Sequence, residues 1–188
     1  MKKNYRQEIY RSPKTVFNMR EIGILTGERN ADNLKSKVNY YVSKGVIRAV
    51  RRGIYVKDPY SSDELACRIY SPSYISLESV LQRAGVVFQY SSVVTAVSYL
   101  SRSLTVDGHN LEYRKIKNKV LVNYKGIERE GNVSVAIPER AFLDRLYLSK
   151  DYYFDNIAVL DWGIIEGLLD MYDCAALTAR AWRLFKHV

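Results

Sequence analysis

The 188 residues, 47% of them hydrophobic, are enough for one medium domain or a larger and a smaller one, each with a real core. The formal charge is +9, and it is unevenly spread: residues 1–57 hold 14 Lys and Arg against 4 Asp and Glu, whereas the remainder holds 15 against 16. A neutral body with a cationic head is the footprint of polyanion binding, since phosphate neutralisation with counterion release supplies most non-specific affinity for nucleic acid. Cys67 and Cys174 stand far apart without nearby Cys or His partners, so the sequence suggests neither a zinc pattern nor a disulfide framework. The opening MKKNYRQEIYR never enters an apolar region, and no run approaches the length of a membrane-spanning helix. A soluble cytoplasmic protein without membrane contact is expected.

Residues 3–11 carry Tyr5, Ile9 and Tyr10 at near-helical spacing and read as a first helix, ended by Ser12 and Pro13. Thr15 to Phe17 is a brief extended segment. Asn18 and Glu21 have capping-box spacing and open a second helix, Met19 to Leu25, with Ile22 and Leu25 inward and a turn at Thr26 and Gly27. A third helix, Ala31 to Lys44, has Leu34, Val38, Tyr41 and Val42 at i, i+4, i+7 and i+8, one apolar face. Its other face carries Asp32, Asn33, Ser36, Asn39, Tyr40 and Ser43, flanked by Lys35 and Lys37, and Gly45 supplies the left-handed stop. Val46 to Val50 and Ile54 to Val56 then read as two strands joined at Arg51, Arg52 and Gly53. Helix, strand, helix, turn, helix and arginine-tipped hairpin make a winged helix-turn-helix over residues 1–57, and its third helix is expected in the DNA major groove.

Residues 58–61, Asp-Pro-Tyr-Ser, are the expected boundary to a second domain over 62–188. There Ser61 and Glu64 repeat the capping-box spacing ahead of a helix with Leu65, Ala66, Ile69 and Tyr70. Residues 72–76 are a short strand candidate running into a helix from Leu77 to Ala84. Val93 to Leu100, Leu111 to Ile116, Val120 to Tyr124 and Val133 to Ile137 read as strands, with turns at Asp107 and Gly108, Lys125 and Gly126, and Gly131 and Asn132. Pro138 opens a helix to about Leu148, and two more follow, Trp162 to Met171 and Ala175 to Phe185, whose Trp182 and Phe185 read as core or a dimer surface, with core favoured. The expected fold class is α+β: a winged helix followed by a mixed, mostly antiparallel domain with terminal helices.

Catalytic constellations are weak. Glu78, Asp107 and Glu112 follow the order of the metal-holding acids of restriction-endonuclease-like folds, but Arg114 stands where a lysine is needed and Lys115 falls on the opposite strand face. Glu78 reads as a solvated helix residue and Asp107 as a turn former. His109 and His187 are isolated, and no serine sits in a nucleophile elbow. Glu139, Arg140, Asp144 and Arg145 alternate in sign at helical spacing and read as a surface ion-pair face. Neither an enzyme nor a cofactor is expected.

The ordered segments RRGIYV, YISLESVLQRAG and VSVAIPERAFLDRLYL resemble the AbiEi family, antitoxins of type IV toxin–antitoxin systems known from phage abortive infection. The matching positions are Arg52, Gly53, Tyr55 and Val56; Tyr74, Ile75, Ser76, Leu77, Glu78 and Ser79; and Pro138, Glu139, Arg140, Ala141, Leu143 and Asp144. The resemblance implies a repressor of its own operon that binds inverted repeats in double-stranded DNA upstream of its gene. It also implies a C-terminal domain that counters a nucleotidyltransferase-like toxin without a stable complex. In this reading Asn33, Ser36, Asn39 and Tyr40 meet base edges, Lys35, Lys37 and Lys44 hold phosphates, and Arg51 and Arg52 reach the neighbouring groove or backbone, with Arg29 and Arg48 adding to them. The rivals are a nuclease with a degenerate endonuclease-like C-terminal domain and a protein-interaction module that binds no DNA.

Overall fold

The computed structural model describes residues 5–186, so His187 and the first residues of the expected opening helix lie outside the described residues. The protein is α+β and divides into two compact units, residues 1–69 and 70–188.

The first unit runs α1 (Tyr5–Arg11), β1 (Val16–Asn18), α2 (Met19–Thr26), α3 (Ala31–Ser43), β2 (Arg48–Arg51), β3 (Ile54–Val56) and α4 (Ser62–Ile69). Its three strands form an antiparallel sheet in the order β1-β3-β2. Ile9, Phe17, Ile22, Leu34, Val38, Tyr41, Val46 and Ile47 make one core, with Met19, Leu25, Val42 and Tyr55 packed against it. Val46 and Ile47, expected in a strand, are core residues that lead into it, so α3 and the β2–β3 hairpin share one anchor. The Asn18 side chain accepts from the Glu21 N–H at 2.9 Å and the Glu21 carboxylate from the Asn18 N–H at 3.0 Å, a complete capping box. The second expected box is half made: Glu64 N–H donates to Ser61 Oγ, but the Glu64 carboxylate takes the Thr15 N–H (3.0 Å) and hydroxyl (2.6 Å) instead. That exchange fastens α4 beside β1.

The second unit holds a six-stranded mixed sheet in the order β6-β7-β5-β4-β9-β8. Its strands are β4 (Ser73–Ile75), β5 (Val94–Ser98), β6 (Arg102–Val106), β7 (His109–Lys115), β8 (Ile127–Glu130) and β9 (Val133–Ala136). Three pairings are antiparallel and two, β5 with β7 and β4 with β9, parallel. Every residue of β5 is buried, as a strand covered on both faces requires. Its helices are α5 (Glu78–Arg83), α6 (Asn118–Leu121), α7 (Pro138–Leu148), α8 (Trp162–Leu169) and α9 (Ala175–Phe185), and a 3-10 turn, Asp170–Tyr172, follows α8. The β6–β7 hairpin closes between Val106 and His109 over Asp107 and Gly108, both at positive φ (49° and 80°), the turn that matches strand twist.

Three readings need correction. Val120 to Tyr124 is no strand. Val120 and Leu121 are adjacent and both buried, which a pleated strand with one buried face cannot do and the helical turn α6 can. β6 and β8 emerge instead from stretches whose exposed polar residues hide any alternation. Finally, Trp182 is half-buried and Phe185 is 40% exposed, so the α9 core contacts are Leu177 and Ala181.

Candidate nucleic-acid interface

The proposed reading surface is built from α3 upward. Asn30 caps the helix, its side chain accepting from the Asp32 and Asn33 N–H groups at 3.0 Å each. At the other end Gly45, at φ 65°, lets its own N–H reach Val42 O and the Val46 N–H reach Tyr41 O (2.9 Å), while Val46 and Tyr41 meet in the core. With both ends fixed and Leu34, Val38 and Tyr41 buried, the helix exposes Asp32, Asn33, Lys35, Ser36, Asn39, Tyr40, Ser43 and Lys44. Amide and hydroxyl groups of this kind match donor and acceptor patterns on base edges.

The cations divide by what holds them. Lys37 Nζ lies 2.5 Å from Glu28, and Arg48 makes two contacts of 2.8 and 3.1 Å to Asp58, so either reaches a phosphate only by giving up its acid. Lys57, counted in the N-terminal excess, donates to the Ile9, Tyr10 and Ser12 carbonyls and stops α1; burial pushes its ammonium down, with Glu64 opposing. Lys14 and Arg68 converge on Glu21 at 2.6 and 2.9 Å. By contrast Arg29, Lys35 and Arg52 are exposed and make no ion pair among the described residues. Lys44 sits over the Tyr40 ring at 5.8 Å, and Arg51 is exposed at the hairpin tip. Between Ala49 and Arg51 the register slips by one residue, a bulge at Val50 that bends the hairpin next to its arginines. Sequence spacing missed one residue, Glu28: its carboxylate takes the Asn30 N–H (3.1 Å) as well as Lys37, tying the α2–α3 turn to the middle of α3.

The acids of the nuclease reading are not gathered. Glu78 is paired with Arg145 at 3.1 Å and so is not simply solvated, Asp107 makes the hairpin turn, and Glu112 contacts Arg114 at 3.3 Å. Among the described residues no group of three or more His, Cys, Asp or Glu is placed to hold a metal ion.

The surface ion-pair reading of α7 is overturned. Arg140 and Asp144 are fully buried, because β9, α5, α8 and α9 enclose this helix. Arg140 donates from Nε to Asp144 (3.3 Å), from Nη1 to Lys125 O (2.8 Å), and from Nη2 to Val120 O (2.8 Å) and the Tyr74 hydroxyl (3.0 Å). Asp144 accepts also from Tyr172 (2.7 Å), Ser76 (2.8 Å) and Tyr74 (3.0 Å). Burial pushes both phenols well up, with Asp144 adding to it, so they stay protonated and donate. Next to this network Leu77 holds φ 60° and ψ −138° where β4 turns into α5, a strained conformation costing about 1–3 kcal/mol. Reciprocal bonds between Ser79 and Thr95 (2.9 and 2.8 Å) and a bond from Thr95 Oγ1 to Ser76 O (2.6 Å) hold it. The residue at this strand-to-helix elbow is a buried leucine, not a nucleophile.

No protein-family model matches the chain, and no curated protein matches it. Tyr74, Ser76, Arg140 and Asp144, which carry part of the resemblance noted above, all belong to the buried network. They report on how the second unit is built and not on an exposed working surface.

Proposed function

We propose that the first unit is a winged helix that binds operator DNA, with α3 in the major groove and the β2–β3 hairpin as the wing. The observation that carries this reading is the exposed polar face of α3, bracketed by Arg29, Lys35 and Lys44 and followed on the same core by a hairpin ending in Arg51 and Arg52. Asn33, Ser36, Asn39 and Tyr40 read bases in this proposal, and the cations hold phosphates. The chain is then a cytoplasmic repressor of its own operon. Its role as an AbiEi-type antitoxin against a nucleotidyltransferase-like toxin rests on the resemblance alone.

A footprint on the DNA just upstream of the gene, at two salt concentrations, tests the first half with an Arg51→Glu, Arg52→Glu variant alongside. Protection of an inverted repeat that weakens with salt and vanishes in the variant is expected. No protection at either salt discards the DNA reading. Co-expression with the adjacent gene tests the second half, since the variant should lose repression but still relieve toxicity.

A further inference from the structure

A groove of about 440 Å³ opens in the second unit between the end of α7, the loop that leaves it and α9. Its apolar lining includes Leu146, Ala176, Ala179 and Leu184, and its charges are Lys150, Arg180 and Arg183 against Asp151 alone. α9 carries no acid from 175 to 186, so nothing on that helix neutralises the row. Arg180 is held in place by one bond, from Nη2 to Leu146 O at 3.0 Å, and its buried Nε has no hydrogen-bond partner among the described residues. Guanidinium and ammonium groups bind carboxylates through charge-assisted hydrogen bonds.

The kind of anion follows from Tyr152, the aromatic residue of the lining. Arg145 already lies over its ring at 4.1 Å and Phe154 meets it at a steep angle with centroids 4.9 Å apart, so the one aromatic ring of the lining is engaged with its neighbours and offers a nucleobase little stacking surface. The small apolar lining instead accommodates aliphatic side chains between charged contacts. We infer that this groove docks an acidic peptide segment of a protein partner, aliphatic residues against Ala176 and Ala179 and carboxylates on Lys150, Arg180 and Arg183. The inference is independent of the DNA-binding proposal.

The test is residue-resolved NMR on the full ¹⁵N-labelled chain. The probes are a synthetic peptide of three Glu-Leu-Glu-Ala repeats, its Lys-for-Glu counterpart and inorganic pyrophosphate. The acidic peptide should shift the amides of Lys150, Ala176, Ala179 and Arg183, and the basic peptide should not. A Lys150→Glu, Arg183→Glu variant should weaken binding at least tenfold, and Ala179→Glu, which blocks the lining, should do the same; each variant's spectrum reports whether it is folded. Shifts confined to residues 5–57, equal binding by folded variants, or pyrophosphate shifting the same amides with equal affinity would each overturn the inference, the last by leaving a simple anion site.

Discussion

The two units use arginine in opposite ways. In the first, Arg29 stands exposed in the loop before α3 and Arg51 and Arg52 at the hairpin tip, on a unit built over one apolar core. In the second, Arg140 is enclosed and spends its guanidinium on Asp144, Tyr74 and backbone carbonyls from residues 120 and 125. Five N–H donors in a planar fork serve either purpose. Burial and local partners decide which: the enclosed Arg140 organises the chain around it, the exposed Arg48 is held by Asp58, and the exposed Arg29 and Arg52 make no ion pair among the described residues.

The largest effect should come from splitting the buried pair. Asp144→Ala leaves Arg140 charged and uncompensated and strips an acceptor from three hydroxyls, a loss of about 3–5 kcal/mol and a large share of an ordinary domain's stability. Both tryptophans, Trp162 and Trp182, lie in this unit, so their fluorescence reads its unfolding directly. A loss under about 1 kcal/mol would show that the pair is not the organising centre described here.

Exposed arginines should behave in the reverse manner. Arg51→Ala with Arg52→Ala should leave stability within about 0.5 kcal/mol, the usual range for surface sites. On operator DNA the same change should lower the log–log salt slope of affinity by about 2, close to one per phosphate contact. An unchanged slope would remove both arginines from the phosphate-binding set.

Legibility in the sequence followed the same division. Capping chemistry at Asn18 and Glu21, the Gly45 stop, the apolar face of α3 and the Asp107–Gly108 turn are all local, so residue spacing sufficed. Arg140 and Asp144 were misread because an i, i+4 pair looks the same on a solvated helix as on an enclosed one. What separates the two is the set of elements packed around α7, and these come from distant parts of the chain. The same blindness hid Glu28, which resembles any turn acid until Lys37 and the Asn30 N–H are seen to meet it, and Leu77, whose left-handed backbone no leucine advertises. In the candidate interface, sequence could name the exposed cations but not which of them already had acids.

Helix caps allow a smaller comparison between the units. Asn30 on α3 and Asp161 on α8 each accept two backbone N–H groups, and replacing either by alanine should cost about 1 kcal/mol. Only Asn30→Ala should also weaken operator binding, since Asn33 is in the first turn that this cap fixes. Equal operator affinity for wild type and Asn30→Ala would mean that the start of α3 does not touch DNA.

The smallest expected effect is one of pH, and it falls on the first unit. Burial pushes the Glu21 carboxyl up, but Lys14, the Asn18 N–H and Arg68 outweigh it and hold it below the usual carboxylate range. Lys37, with the Asn30 N–H, holds the Glu28 carboxyl below its ordinary value as well. A carboxyl depressed on folding stabilises the native state fully above its unfolded value, and that contribution fades as pH falls through the folded one. The capping box of α2 and the tie across the α2–α3 turn should therefore loosen below about pH 4.5, with no matching change between pH 6 and 8. Amide exchange at pH 6 and pH 3.5, corrected for intrinsic rates, should show α2 and the start of α3 opening more readily in acid. In a Glu21→Gln, Glu28→Gln variant most of that difference should vanish; if it persists undiminished, some other group sets the acid response of this unit.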